Sequence, residues 1–182
     1  MATTPYDEAK LVELVIYVAD GLRDDPAGGA TKLNKSLWFS EIEHLRRYGR
    51  TITGAEYQKL EWGPAPRQLM PIRERLTSSG DAEIIEVPLG NRTEQRLVPL
   101  RPPDMSLFTK EEIDVVQGVL RRLSPMTGHQ VSRLSHEEPA WYLPEFLDTI
   151  EPELAFLRPA VITPKVQARA RQFAVDCGLI QG

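Results

Sequence analysis

The tract SHEEPAW, residues 135–141, places His136 beside Glu137 and Glu138. A histidine flanked by carboxylates can move protons or hold a metal ion. A zinc-protease helix would need a second histidine four residues after the first, and residue 140 is an alanine. His129 stands seven residues before His136, and two histidines with a carboxylate could bind zinc. The simpler reading has His136 hydrogen-bonded near a helix end while Trp141 fills a core or groove. Ser135, His136 and Glu137 are adjacent, so on a helix they point about 100° apart and supply no ready triad. Cys177 is the only cysteine; it has no basic partner nearby in sequence and cannot form an internal disulfide. DDPAGGATK at residues 24–32 lacks the Gly-Lys-Ser/Thr ending of a phosphate loop, and Lys32 and Lys35 are expected on the solvated side of a helix. These tracts contain no catalytic constellation. The expectation is a protein that works by contact, not an enzyme, with no metal or cofactor.

Two other groups could make contacts. Arg46, Arg47 and Arg50 form the densest basic cluster, beside Tyr48, and Arg169 and Arg171 form a second. Either could meet nucleic acid or an acidic protein. Glu41, Glu43 and Glu56 lie near the first cluster, and the formal net charge is -4, so nucleic acid is not the expected partner. Trp38, Trp62 and Trp141 are expected to anchor the core. Tyr57 and Trp62 flank a short extended connection that could hold a groove between helices.

The elements that position these residues are mostly helical. Leu11, Leu14, Val15, Val18 and Leu22 mark a helix over 7–22, and DDPAGG at 24–29 ends it. Thr31 is the expected cap of a second helix running to Tyr48-Gly49, with Leu33, Leu37, Trp38, Ile42 and Leu45 on its apolar face. Tyr57 to Trp62 reads as extended, after which Pro64 or Pro66 would open a third helix carrying Leu69, Ile72 and Leu76. A β-hairpin is expected over 82–98 around Gly90-Asn91. Thr109 with Glu112 forms a capping box behind Phe108, for a helix burying Ile113, Val116, Leu120 and Leu123. Thr127 with Gln130 caps another helix. Prolines at 144, 152 and 159 imply short helices and turns, and a last helix is expected over 164–176. The fold class is mainly α: a compact multi-helix domain with a small β-hairpin.

At 182 residues, 41% hydrophobic and 26% charged, the chain suits one domain over 1–182. No apolar run approaches the roughly 18 residues of a membrane span. The start, MATTPYDEAKL, lacks the layout of a secretion signal. A cytoplasmic location without a membrane partner is expected.

The order of motifs resembles the Panacea domain family, also described as SocA-like and formerly as a phage-associated domain. Thr31 to Phe39 looks like its lysine-leucine-x-lysine helix, with Trp38 where the family commonly has tyrosine. Glu61-Trp62-Gly63-Pro64 resembles its Trp/Tyr-Gly-Pro element, and Leu134-Ser135-His136-Glu137 with Trp141 resembles its late Ser/Thr-His…Trp element. The resemblance spans most of residues 8–145. It implies a mostly helical prokaryotic or phage domain and makes Lys35, Trp38, Glu61, Trp62, Gly63, Pro64, His136 and Trp141 scaffold or groove positions. It implies an antitoxin that neutralises a cognate protein toxin by direct binding. An adaptor that hands its toxin to an ATP-dependent protease of the ClpXP kind is the alternative. A DNA-binding autoregulator using Arg46, Arg47 and Arg50 is a further one.

Overall fold

The computed structural model describes residues 4–89 and 92–157, with Arg169, Gln172 and Asp176 as isolated helical positions beyond them. The helix expected over 164–176 and Cys177 otherwise lie outside the described residues. The first helix, α1, runs Glu8–Gly21 and begins where the Asp7 carboxylate accepts the Lys10 N–H at 2.9 Å. Its apolar face is buried as the spacing predicts.

The second helix, α2 (Ala30–Tyr48), is the centre of the molecule. It packs against α1, α4 (Lys110–Leu123), α5 (Gly128–His136) and both sheets. It ends at Gly49, whose φ of 74° is the left-handed conformation that glycine adopts without a Cβ clash. Its N-cap is Gly29, two residues earlier than expected, so Thr31 lies inside the helix. Helix α2 is buried on every side, not amphipathic. Leu33, Leu37, Trp38, Phe39, Ile42 and Leu45 are buried, and so are Lys32, Lys35, Ser36, Ser40, Glu41 and His44. Lys32 and Lys35 therefore do not form a solvated face.

Ser36 Oγ and His44 Nε2 have no hydrogen-bond partner among the described residues, while the charged groups are met from inside. The Lys32 ammonium donates to Asp25 Oδ2 at 2.6 Å, Met126 O at 2.7 Å and Ser124 O at 3.1 Å, using all three protons. The Glu41 carboxylate accepts the Ile52 N–H at 2.5 Å, the Thr53 N–H and the Thr53 hydroxyl, which pins the connector after α2 to the helix flank. Burial pushes the Glu41 carboxyl above the usual carboxylate range, against those hydrogen bonds. His44 Nδ1 donates to the Arg50 carbonyl at 2.7 Å, which fixes the tautomer.

The strand content exceeds the single hairpin expected. Strands β3 (Ala82–Leu89) and β4 (Arg92–Pro99) form the predicted hairpin, packed on α1, α2 and α3 (Leu69–Ser79). A second sheet has the order β2-β1-β5, from Tyr57–Leu60, Gly63–Pro66 and Thr149–Ile150. Gly63-Pro64 thus turns the chain back as a strand and does not open a helix. The prolines fit because β2 is an edge. Arg67 N–H bonds Glu56 O, and the ladder alternates, so Ala65 faces β1 while Pro64 and Pro66 turn their N–H-less nitrogens outward. Helices α4 and α5 begin with the two expected capping boxes, Thr109 with Glu112 and Thr127 with Gln130. A one-turn helix, α6 (Pro139–Tyr142), and a 3-10 helix over Pro152–Phe156 complete the described chain.

Removing the Glu41 acceptor tests how much this packing relies on it. Glu41→Ala should lower the unfolding free energy by about 3 kcal/mol, because two buried N–H groups lose their partner. Urea unfolding curves indistinguishable from wild type would show that the connector does not depend on this carboxylate.

Candidate functional site

Helix α2 and the β1–β2 hairpin bring together residues far apart in sequence. The Lys35 side chain, 1% exposed, passes beneath the hairpin, with Nζ 3.5 Å from the Pro64 carbonyl. It has no carboxylate partner among the described residues. Burial alone depresses its ammonium from the usual lysine range to about 7. Gly63 makes this approach feasible. Its φ is 106°, and a Cβ there would lie 2.6 Å from Lys35 Cε and Nζ and 2.7 Å from Ser135 Oγ. Any side chain at 63 would collide with the cation and the hydroxyl and would be strained in that conformation.

Helix α5 closes the other side. Ser132 Oγ donates to the Trp62 carbonyl at 2.9 Å, and Ser135 Oγ donates to the Ser132 carbonyl at 2.7 Å. His136, in the last turn, stacks on Trp141 at 3.8 Å and 10° between planes. Burial first, and the Lys35 charge second, hold its imidazole below the ordinary range, while the Trp62 backbone acts in the opposite direction. Its Nε2 makes no hydrogen bond to the described residues, so the stack on Trp141 and the Trp62 backbone hold this ring. Trp141 Nε1 donates to Leu60 O at 3.2 Å, and the Lys59 ammonium lies 4.7 Å from its ring centroid. Trp38, one turn beyond Lys35, supports β1 through Tyr57 at a centroid distance of 5.1 Å.

Lys35, Trp38, Gly63, Pro64, His136 and Trp141 thus converge on one hairpin. Glu61 and Trp62 belong to the same element but face outward, and Trp62 is 68% exposed. The expectation that all three tryptophans anchor the core fails at Trp62, because the tight turn into Gly63 projects that side chain beyond the helices. Its indole forms one lip of a cleft of about 420 Å³, whose walls are Ala27, Thr31, Leu89, Glu94, Thr127, Gly128, His129 and Ser132. His129 is at the opposite end of α5 from His136. Among the described residues no group of three or more His, Cys, Asp or Glu could hold a metal ion.

The first arginine cluster is not a free patch. Arg46 donates to the Ala155 carbonyl at 2.8 Å and pairs with Glu138 at 2.5 Å, which ties the α6 region to α2. Arg47 pairs loosely with Glu43 at 4.0 Å, and Arg50 is exposed. Glu41 does not shape the field around them, since it is buried; Glu43 and Glu138 do. Arg169 is exposed, and Arg171 lies outside the described residues. Sequence reasoning missed Ser132, Ser135 and Lys59 as supports of the hairpin. The one signal was the two serines three apart, on the α5 face shared with Val131 and Leu134.

The Lys35 environment predicts a particular pH dependence. Above about pH 7 the folded chain holds neutral Lys35 while the unfolded chain keeps the proton. Stability should then rise with pH up to the ordinary lysine range, by at most about 1.4 kcal/mol per unit. Lys35→Met should be the more stable protein at about pH 7, and its advantage should shrink toward about pH 9. Parallel stability curves for the two proteins would show that Lys35 titrates normally.

A curated relative is the cyclo-acetoacetyl-L-tryptophan synthase of Aspergillus oryzae, 26% identical over 152 residues that cover 71% of this chain. The chain spans 4% of the length of that relative. No solved structure matches. The family model described as antitoxin SocA-like, Panacea domain, matches residues 33–142, from the first buried leucine of α2 to the end of α6. That stretch contains Lys35, the Trp-Gly-Pro turn and the stacked His136–Trp141 pair, and the chain belongs to the SocA-like Panacea antitoxin family.

Proposed function

We propose that this protein is an antitoxin that neutralises a protein toxin by binding it directly, with the Trp62 cleft as a central contact, and that it is not an enzyme. The observation that carries this reading is the indole, 68% exposed, beside the buried Gly63-Pro64 half of the family element. An exposed tryptophan loses little rotamer entropy on binding and offers a large apolar area. The hairpin beneath it is held on three sides, by Lys35, by Ser132 and by Trp141, so the indole is presented in a fixed place. Leu89, at 45% exposure, and the hydroxyls of Thr31 and Thr127 give the cleft mixed walls that suit a protein side chain. The family supplies the kind of partner, a toxin.

The groups that could do chemistry support binding over turnover. Lys35 and Ser135 are close together, but both are sealed beneath the hairpin. His136 stacks on Trp141 beside the hairpin, and among the described residues no nucleophile or carboxylate is hydrogen-bonded to it.

The test is co-expression with the product of the adjacent reading frame, with growth rescue and the affinity of the purified pair as readouts. Trp62→Ala should weaken the complex about tenfold or more and leave the melting temperature of the free chain unchanged. Equal affinity would remove the cleft from the interface. Failure of the wild-type chain to bind or rescue would reject the antitoxin reading.

A further inference from the structure

We propose that the turn at residues 142–147 is a second docking surface, which takes a protein segment with apolar residues flanked by lysines or arginines. This rests on the protein-binding reading above, and it adds the chemistry of the partner. Tyr142, Leu143, Phe146 and Leu147 are exposed by 45%, 51%, 60% and 53%. Single exposed apolar residues are ordinary, but four large ones within six positions are not.

The turn is held firmly. Leu147 N–H donates to Lys59 O at 2.9 Å, Lys59 Nζ donates to Pro144 O at 2.8 Å, and Arg67 reaches Leu147 O at 3.3 Å. Leu147 has a φ of 72°, a conformation that leucine tolerates only when its surroundings impose it. The protein thus spends backbone strain on displaying apolar side chains to solvent.

Charge selects the occupant. Residues 142–157 carry Glu145, Asp148, Glu151 and Glu153 and no lysine or arginine. None of these carboxylates is ion-paired to a described residue. Two cations touch the turn: Lys59, bonded to the Pro144 carbonyl, and Arg67, which pairs with Glu56 at 3.7 Å and bonds Gln58, Leu147 and Thr149, so carboxylates outnumber cations around it. An excess of carboxylates in the segment that carries the apolar turn disfavours nucleic acid, anionic lipid and a second copy of the same segment, and it favours a basic protein face.

The probe is a short labelled helical peptide with leucines on one face and flanking arginines, compared with the same peptide carrying glutamates. The full chain should bind the arginine form, more weakly as salt rises, and ignore the glutamate form. The double variant Phe146→Ser, Leu147→Gly should bind it about tenfold more weakly, whereas Trp62→Ala should not. Glycine relieves the backbone at 147, so the free double variant should melt no lower than wild type. No binding of the arginine peptide, or equal binding by the double variant, would overturn the proposal. So would a lower melting temperature of the free variant, which would mean that the chain itself covers the turn. If the toxin binds and only Trp62→Ala weakens it, this proposal fails while the antitoxin reading stands; if the toxin does not bind at all but the peptide result holds, the reverse is true.

Discussion

A helix wrapped on all sides that still carries two lysines, a glutamate and a histidine imposes one constraint on everything around it. Each of these groups must be neutralised or hydrogen-bonded where it stands, and the structure solves the four cases differently. Lys32 uses three acceptors, one of them charged. Glu41 takes backbone N–H groups and a hydroxyl from the connector. His44 uses a carbonyl. Lys35 has, among the described residues, only the Pro64 carbonyl at 3.5 Å, and burial lowers its proton affinity to near neutrality. These choices determine what packs where. The first joins α2 to the turns at both of its neighbours, the second closes the 49–57 connector, and the last places the β1–β2 hairpin, since only a glycine can lie against the ammonium.

The family element then divides by direction. Residues that face inward hold the hairpin, and Glu61 and Trp62 face outward. On the antitoxin reading proposed above, this division lets a firmly held hairpin present a contact surface. Lysine, serine and histidine, which in other settings perform chemistry, here serve as supports beneath an exposed indole. The same reasoning relocates Arg46 from a presumed contact patch to the interior side of the α6 region, where it binds Glu138 and the Ala155 carbonyl.

Much of the helical frame was legible in the sequence, because its signals are local. The Thr109–Glu112 and Thr127–Gln130 boxes, the glycine at 49 and the spacing of Leu69, Ile72 and Leu76 each act within one or two turns. The burial of α2 was harder to see. Lysines and a glutamate at helical spacing imitate a wet face, and only long-range partners such as Met126 and Thr53 show otherwise. Adjacent Trp38 and Phe39 were the available hint, since both can be buried only in a helix enclosed on two sides. The β1–β2 hairpin was hidden because Gly-Pro-Ala-Pro reads as a breaker before a helix, and prolines suit a strand only once its edge position is known. Strand β5 is two residues long and exists only because Tyr57 and Gln58 offer it a ladder. The resemblance pointed to Trp38, Trp62 and Trp141 alike, and only burial separates the exposed Trp62 from the buried Trp38 and the half-buried Trp141.

The central claim is that Lys35 is a buried support with no counter-charge, and not an exposed or ion-paired lysine. The most direct test follows the Lys35 ε-methylene resonance by NMR across the pH range. The structure requires a titration midpoint of about 7. A midpoint at the ordinary lysine value of about 10.4 would contradict the account.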